Sequence, residues 1–358
     1  MTAAQSAEAL LITLAIVCCS CGELLVPEAE PELNMQDFEE VWQIADTYYP
    51  FFAFKKVNWD SLHAVFKPRA ASARGDEIYP VLFELLLPLR DSHIEVQSEA
   101  GYPVVNYRPA RARDAEGYSP TVVRSYFAQP LRLAGGKRLE FGLLAPDIGY
   151  LRFTTFAPGD WVREVDWALS YLSGTSGLIV DVRNNSGGSS TSYDYVLARL
   201  IDRPIVETSY YWDGRVVSGM VQPATTPYRG NVVVLINGAS LSAAETFAEL
   251  LRQMPYVTVV GDTSGGSGGD ARLFVLPSGK RLKLPVKYMR RLDGEMIEWN
   301  GVIPDVVVEQ TADDVTRGRD PQLEMAIVLL RGRRPAEKST RPAPSVSLRS
   351  SGNCLAAH

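Results

Sequence analysis

The stretch of residues 231–249 (NVVVLINGASLSAAETFAE) constrains the fold of this chain most, because an unbroken apolar run is followed there at once by a helix signal. The apolar residues 232–236 predict a strand buried on both faces, as in a parallel sheet covered by helices. After an Asn-Gly turn, apolar residues recur at helical spacing. Ser240 and Ser242 stand at this corner, where the free amides of a helix N-terminus can stabilise negative charge. Either serine could equally cap the helix, so a nucleophile and an N-cap are both consistent with this stretch.

Strands and helices alternate from residue 148 to residue 332, which predicts a layered α/β core with a mostly parallel sheet. The predicted strands cover residues 149–153, 177–182, 232–236, 256–260 and 306–308, with a hairpin at 273–286. The predicted helices cover residues 161–172, 193–200, the stretch after residue 242 and a final helix that begins at Asp320-Pro321. Ligands bind such sheets beyond the carboxyl ends of the strands. The functional site is therefore expected among the loops 183–188, 237–242 and 261–269.

Two smaller units are predicted before this core. Amphipathic patterns at 37–49 and 76–89, with a helix start near residue 58, predict a helical unit over residues 32–95. Residues 96–147 contain short β-like runs at 121–127, 131–133 and 139–143, separated by turns rich in Pro, Gly and Arg. They predict a small β subdomain.

The two ends of the chain are predicted to lie outside the folded body. Residues 9–17 (ALLITLAIV) and the following CCSCGE are typical of a secretory signal and are too short for a comfortable transmembrane helix. Residues 1–31 are therefore predicted to be an export segment and tether, which places the protein in the periplasm or cell envelope. Lipidation of Cys21 would tether it to a membrane. Residues 333–358, rich in Pro, Ser and Arg, predict a disordered tail.

The composition excludes several classes of function. A formal net charge of −6 argues against nucleic acid as a partner. The four cysteines are Cys18, Cys19, Cys21 and Cys354. The predicted folded body therefore offers no structural disulfide, no cysteine nucleophile and no cysteine zinc site.

A serine nucleophile needs a base, usually histidine, and the chain has only three histidines. His358 ends the predicted tail and His63 lies in a predicted helix. His93 lies in a short polar break before the β subdomain, so it is the candidate base, although a simple turn residue is the alternative. A further acid or hydroxyl must orient the imidazole. Ser92 is adjacent, and Glu298 precedes a polar turn, where it could equally be a solvated charge.

A glycine-rich loop follows the strand 177–182. Gly187 and Gly188 could present backbone N–H groups to a substrate oxygen, or they could form a plain turn. No Gly-Lys-Ser/Thr sequence follows, so a phosphate-binding P-loop is not expected. A second glycine-rich loop at 261–269 must be shaped by its backbone rather than by side chains.

Five of these segments occur in an order that resembles the C-terminal processing, or tail-specific, serine peptidases of family S41 and their tricorn-core branch. They are DSH at 91–93, DVRNNSGG at 181–188, NGASLSAAE at 237–245, GDTSGG at 261–266, and Glu298 followed by GVIPD at 301–305. The resemblance covers residues 36–308. It implies a crotonase/ClpP-like layered core with an N-terminal helical unit.

The resemblance also implies roles for individual residues. The nucleophile of the family stands three residues before the glutamate of its Ser-Ala-x-Glu signature, which is Ser242 here. The oxyanion hole is then formed by the N–H of Ala243 and an N–H from the loop of Gly187 and Gly188.

One departure from the processing-peptidase branch concerns the base. Members of that branch carry a lysine base in the glycine-rich loop after the nucleophile, and the aligned residue here is Ser267. Tricorn-like members instead use an adjacent Ser-His pair and a distant Glu, which Ser92, His93 and Glu298 match. A second departure is the short segment 96–147, which is not expected to hold a full PDZ domain.

The sequence therefore predicts an exported serine endopeptidase with a Ser-His-Ser-Glu tetrad. It would cleave peptides or unfolded or C-terminal protein segments through an acyl-enzyme, without a metal or organic cofactor. The alternative is a non-catalytic binder of apolar ligands or peptides in the same cleft. An acyl-CoA enzyme of the crotonase type is less consistent with the sequence, because it would need no Ser-His pair.

Overall fold

The computed structural model describes residues 31–113 and 117–332 of the chain. The helices in this part are α1 (Pro31–Tyr48), α2 (Phe52–Lys55), α3 (Trp59–Ser72), α4 (Ile78–Leu86), α5 (Ala110–Arg113), α6 (Pro120–Ser125), α7 (Glu164–Tyr171), α8 (Ser190–Leu200), α9 (Ala243–Leu251), α10 (Ala312–Thr316) and α11 (Pro321–Gly332). The strands are β1 (Glu95–Gln97), β2 (Pro103–Asn106), β3 (Arg132–Ala134), β4 (Leu139–Ala145), β5 (Ile148–Phe153), β6 (Gly177–Asp181), β7 (Ile205–Tyr211), β8 (Val216–Val221), β9 (Asn231–Ile236), β10 (Val257–Gly261), β11 (Gly269–Val275), β12 (Arg281–Tyr288) and β13 (Val306–Val307). The predicted α/β class is confirmed.

A seven-stranded sheet forms the centre of the molecule, in the order β13-β10-β9-β6-β5-β4-β3. Five neighbouring strands of this sheet pair in parallel: β13, β10, β9, β6 and β5. Strands β4 and β3 extend the sheet in antiparallel pairing. Strand β9 is buried throughout. Val232 and Val234 face a cluster built with α7, α8 and α9, whereas Val233 and Leu235 face α11. Helices thus cover both faces, which explains why β9 is apolar at every position from 232 to 236.

A second sheet is antiparallel, with the order β2-β1-β12-β7-β8 and with β11 paired to β12. Its buried residues Val96, Leu282 and Leu284 join one hydrophobic cluster with Phe38 of α1 and Leu82 of α4. The N-terminal helices therefore pack on this sheet. His93 lies two residues before β1, and it contacts Ser242 in the loop that follows β9 of the central sheet.

One local prediction was wrong, and one element was not predicted. Residues 121–127 do not form a strand, because most of this run is helix α6. Ser119 accepts a hydrogen bond from the amide of Val122, and Pro120 occupies the first helical position; these two helix-start signals precede the apolar run. The β7–β8 hairpin was not predicted, although its Asp213-Gly214 turn is a typical hairpin signal.

The strands of segment 96–147 do not form a sheet of their own. Strand β2 pairs with β1 in the antiparallel sheet, whereas β3 and β4 lie at the edge of the central sheet. Those pairings tie this segment to both sheets.

The predictions for the two chain ends fall on residues that the structure leaves undescribed. The export segment up to residue 30, the four cysteines and the tail 333–358 all lie outside the described ranges. Within residues 31–113 and 117–332, no helix combines the length and the apolar character needed to cross a membrane.

Candidate active site

Ser242 lies at a strained corner between β9 and α9. Its backbone has φ 54° and ψ −119°, a conformation that costs a non-glycine residue about 1–3 kcal/mol. Such a corner lifts a serine hydroxyl clear of its neighbours. Ser240 is buried and donates its hydroxyl to the carbonyl of Val182 at 2.8 Å. Ser240 therefore shapes the turn, whereas the hydroxyl of Ser242 is directed elsewhere.

The hydroxyl of Ser242 meets the imidazole of His93. Ser242 Oγ and His93 Nε2 lie 2.9 Å apart, within hydrogen-bond distance. The His93 side chain is 12% exposed. Burial lowers the pKa of His93 from its ordinary value of 6.5, and the nearby Asp91 carboxylate opposes part of that effect. The ring is therefore neutral near pH 7, the form in which it can accept a proton.

The other two members of the expected tetrad do not contact the imidazole. Ser92 Oγ bonds to Ser267 Oγ at 2.5 Å. Glu298 is buried; it accepts hydrogen bonds from Lys55 Nζ at 2.6 Å and from the Gly268 amide at 3.0 Å. Among the described residues, no hydrogen bond joins either side chain to His93. The physical reason is that each has a nearer polar partner.

Asp91 is the carboxylate that lies next to the base. Its Oδ1 accepts the backbone N–H of His93 at 2.9 Å and lies 3.9 Å from His93 Nδ1. Burial would raise the pKa of Asp91, but the positive charge of Lys55 and the hydrogen bonds it accepts lower the pKa overall. Asp91 belongs to the DSH motif, but no feature of the sequence assigned it a role. Lys55 was missed altogether, since a Lys-Lys pair after a turn is typical of a solvated surface.

Two backbone amides beside Ser242 are available to a ligand. In the described part of the chain, neither the N–H of Ala243 nor that of Gly188 has an acceptor. The amide of Gly187 differs, because it donates to Asn185 Oδ1 at 2.8 Å. Gly187 instead lies against Ser242: a Cβ on Gly187 would come within 2.8 Å of Ser242 Cβ. The loop therefore offers Gly188, rather than Gly187, as a donor.

Two cavities meet at Ser242. An open cleft of about 950 Å³ is lined by His93, Gly187, Gly188 and Ser242. A smaller cavity of about 290 Å³ begins at Ser242 and Ala243 and extends to Asp194 and Glu207. An extended chain lying in the cleft could thus place one side chain in the smaller cavity.

The smaller cavity is lined by two acidic side chains, Asp194 and Glu207, that form no ion pair among the described residues. Asp194 Oδ1 is buried and has no hydrogen-bond partner among the described residues. Burial, together with the charge of Glu207, raises the pKa of Asp194 to about 6. Glu207 accepts a hydrogen bond from the hydroxyl of Tyr193. Lys287, the lysine of this lining, pairs with Asp270 at 2.9 Å.

These features define a class of site. A serine on a strained strand-to-helix corner, a neutral histidine within hydrogen-bond distance and two available amides form the arrangement of a serine hydrolase. Among residues 31–113 and 117–332, no three His, Cys, Asp or Glu side chains are grouped so that they could hold a metal ion.

Comparison with known proteins supports the same class. The family model for peptidase family S41 matches residues 147–308, and the model for the tricorn protease C1 domain matches residues 30–86. These two matches, together with the relatives described next, support peptidase family S41 as the family of this chain.

Three similar proteins illustrate this relationship. A carboxyl-terminal-processing protease of Synechocystis is 31% identical over 52% of this chain and 44% of its own length. Tricorn protease homolog 1 of Streptomyces coelicolor is 32% identical over 73% of this chain and 24% of its own length. A candidate peptidase from Parabacteroides merdae has a solved structure with a TM-score of 0.72 and 28% identity, covering 83% of this chain and 96% of that one. The chain thus spans less than half the length of these two curated relatives.

Proposed function

We propose that this protein is a serine endopeptidase that cleaves peptides or unfolded protein segments through an acyl-enzyme. The observation that carries the proposal is the 2.9 Å contact between Ser242 Oγ and His93 Nε2 at a strained corner. The match to the model for peptidase family S41 supports the same activity. Cleavage near free C-termini is proposed because the Synechocystis relative is a carboxyl-terminal-processing protease.

The proposed first step is acylation. Ser242 Oγ attacks the scissile carbonyl carbon while its proton passes to His93 Nε2. The tetrahedral intermediate then collapses, the C–N bond breaks, and His93 gives the proton to the leaving amine. In the second step His93 takes a proton from water, whose oxygen attacks the acyl carbon. Ser242 Oγ then leaves with that proton, and the product is a carboxylic acid.

The amides of Ala243 and Gly188 are proposed to hold the negative oxygen of each tetrahedral intermediate. Both lie beside Ser242, and neither has another acceptor in the described residues. Loss of one such donor in a comparable site costs about 3–4 kcal/mol of transition-state stabilisation. Side-chain substitution leaves a backbone donor in place, so this role is tested through the shape of the loop rather than through a side chain.

We also infer a substrate preference from the smaller cavity. Because Asp194 and Glu207 line it and Lys287 is already paired, the cavity favours a positively charged side chain next to the scissile bond. The position of this cavity beside Ser242 and Ala243 supports its assignment to the residue on the acyl side of that bond.

A fluorophosphonate probe and a denatured protein substrate test the proposed activity. The wild-type protein should be labelled at Ser242 and should cleave the substrate, while Ser242→Ala and His93→Ala should do neither. His63→Gln is the matched control: His63 stacks on Phe38 and bonds to Glu39, away from the site, so this variant should keep both activities. An unlabelled, inactive wild-type protein that still binds peptides or apolar ligands would instead establish the non-catalytic binder.

Export and lipidation are proposed from the sequence of residues 1–31. The apolar run 9–17 and the cysteine that follows Ser20 support a cell-envelope location with a lipid on Cys21. Expression in a bacterium fed labelled palmitate tests the proposal. Label is expected on the wild-type protein and not on Cys21→Ser; equal labelling of both would exclude Cys21 as the anchor.

A further inference from the structure

A buried lysine connects the N-terminal helices to the active-site turn and to the core. Lys55, at the end of α2, has a fully buried side chain. Its Nζ donates to the carbonyl of Leu89 at 2.7 Å and to the hydroxyl of Tyr49 at 2.8 Å. It also lies 2.6 Å from Glu298 Oε1 and 3.3 Å from Asp91 Oδ2. One cation thus contacts two carboxylates that are 207 positions apart in the chain, at 91 and 298.

Asp91 links Lys55 to His93, the proposed base. Its Oδ2 accepts the hydroxyl of Tyr49 at 2.8 Å, which leaves Oδ1 for the backbone N–H of His93 at 2.9 Å. Oδ1 is also 3.9 Å from His93 Nδ1, and that nitrogen has no hydrogen-bond partner among the described residues. The turn that carries the imidazole is therefore fixed through Asp91.

We propose that Asp91 and Lys55 form the positioning pair of this active site: Asp91 holds and electrostatically supports His93, and Lys55 holds Asp91. This inference rests on the proposed peptidase function and identifies the residues that orient its base. It replaces the route through Ser92 and Glu298 that the resemblance implied. Neither member touches substrate, so both act through His93.

The charges of the cluster support this assignment. As Ser242 gives up its proton, His93 becomes positive, and a carboxylate a few ångströms away stabilises that charge. Two buried carboxylates share one lysine, and burial together with Asp91 raises the pKa of Glu298 to about 8. Asp91, whose pKa is lowered overall despite its burial, carries the negative charge beside the base.

The chain contains a matched control for this pair. Asp37 is buried like Asp91; it accepts a backbone N–H, from Ser278 at 3.0 Å, and a lysine, Lys280 Nζ at 3.2 Å. Asp37→Asn and Asp91→Asn therefore remove the same kind of buried charge. Only Asp91 has a catalytic residue as its partner.

The test compares kcat, KM and the pH profile of the two variants with a peptide substrate. Asp91→Asn should lower kcat by a factor on the order of 10–100 with KM nearly unchanged, because a misplaced base slows chemistry rather than binding. It should also move the acidic limb of kcat/KM to lower pH, since the imidazolium loses its carboxylate. Asp37→Asn should lose a similar amount of thermal stability but should change neither kcat nor the pH profile of kcat/KM. Identical kcat and pH profiles for the two variants would overturn the inference.

Lys55→Met with Lys280→Met as its control tests the second member of the pair. Probe labelling per folded molecule should fall for Lys55→Met and not for Lys280→Met; equal labelling of the two would remove Lys55 from the assignment. If Lys55→Met does not fold, Tyr49→Phe removes only the hydroxyl that fixes Asp91, and it should lower kcat severalfold without changing KM. An unchanged kcat would count against the pair. A wild-type protein without activity is a different result, because it would refute the proposed function itself.

Discussion

The carboxylate of Glu245 accepts the backbone N–H of Ser242 at 2.8 Å, so the first turn of α9 holds the backbone of Ser242 in place. The same buried carboxylate accepts the amides of Gly266 at 2.7 Å and Ser267 at 2.8 Å, and the hydroxyl of Ser264 at 2.6 Å. One side chain thus joins the strained corner to the glycine-rich loop. The strain at Ser242 can persist because these bonds hold the backbone on both sides of the site.

Glu245→Gln should therefore both destabilise the protein and misplace Ser242. The glutamine amide keeps the size of the side chain, but its NH2 group would face N–H and O–H donors that the carboxylate accepts. This mismatch should cost about 2–4 kcal/mol in the free energy of unfolding. Urea denaturation measures this cost, and fluorophosphonate labelling of the folded fraction should fall. Glu249→Gln is the control, because Glu249 is also buried on α9 and accepts a loop amide, that of Leu292 at 2.8 Å. It should lose stability and keep its labelling; equal labelling of the two variants would contradict the role of Glu245.

Gly187→Ala should abolish activity through shape alone. Gly187 has φ +94°, and an added Cβ would lie 2.8 Å from both Leu241 O and Ser242 Cβ. Gly214→Ala, in the β7–β8 turn, is the control: its φ is +79°, but a Cβ there meets nothing within 4 Å. The control should show only the backbone cost of about 1 kcal/mol and full activity. Full activity of Gly187→Ala would mean that the loop does not lie against Ser242 in solution.

The acidic limb of the pH profile should lie below pH 6.5. Catalysis needs neutral His93, and burial lowers its pKa below the ordinary 6.5, so the active form persists to lower pH than for a free imidazole. Activity should fall only as the pH drops through that lowered value. The measurement is kcat/KM against pH with an uncharged peptide substrate. A midpoint above 6.5 would show that the imidazolium is favoured in the folded protein.

Asp194→Asn should reduce the preference for a basic side chain next to the scissile bond. We expect kcat/KM for an arginine substrate to fall on the order of 10–100-fold, while that for a leucine substrate stays nearly constant. In the wild-type protein the same preference should weaken as the pH falls through about 6, because Asp194 then takes up a proton. Paired fluorogenic peptides measure both effects. Equal losses for the two peptides would exclude Asp194 as a selectivity residue.

The sequence predicted the centre of the fold and the reacting pair for identifiable reasons. Strand β9 is apolar without interruption, which only a sheet covered on both faces explains. With three histidines in the chain, eliminating His63 and His358 left His93, and the structure places it 2.9 Å from Ser242. The catalytic roles of His93 and Ser242, like all the other assignments of site residues, stay predictions.

The orienting cluster could not be predicted in the same way. Lys55 contacts Glu298 across 243 positions, and no local pattern encodes such a contact. The region before the core was harder for a different reason, because β4 pairs with β5 and thereby extends the central sheet instead of closing a sheet within its own segment. The prediction also missed α6, because it gave more weight to the β-branched residues at 121–123 than to the helix-start signals Ser119 and Pro120.

The hydrogen-bonded Ser242 and His93 are 149 positions apart in the chain. A fragment that ends before residue 242 holds the proposed base without the proposed nucleophile, and one that begins after residue 93 holds the proposed nucleophile without the proposed base. Catalysis by this pair would therefore require the N-terminal helical part and the central sheet to be packed together. During synthesis, the two residues cannot meet before the chain has grown past residue 242.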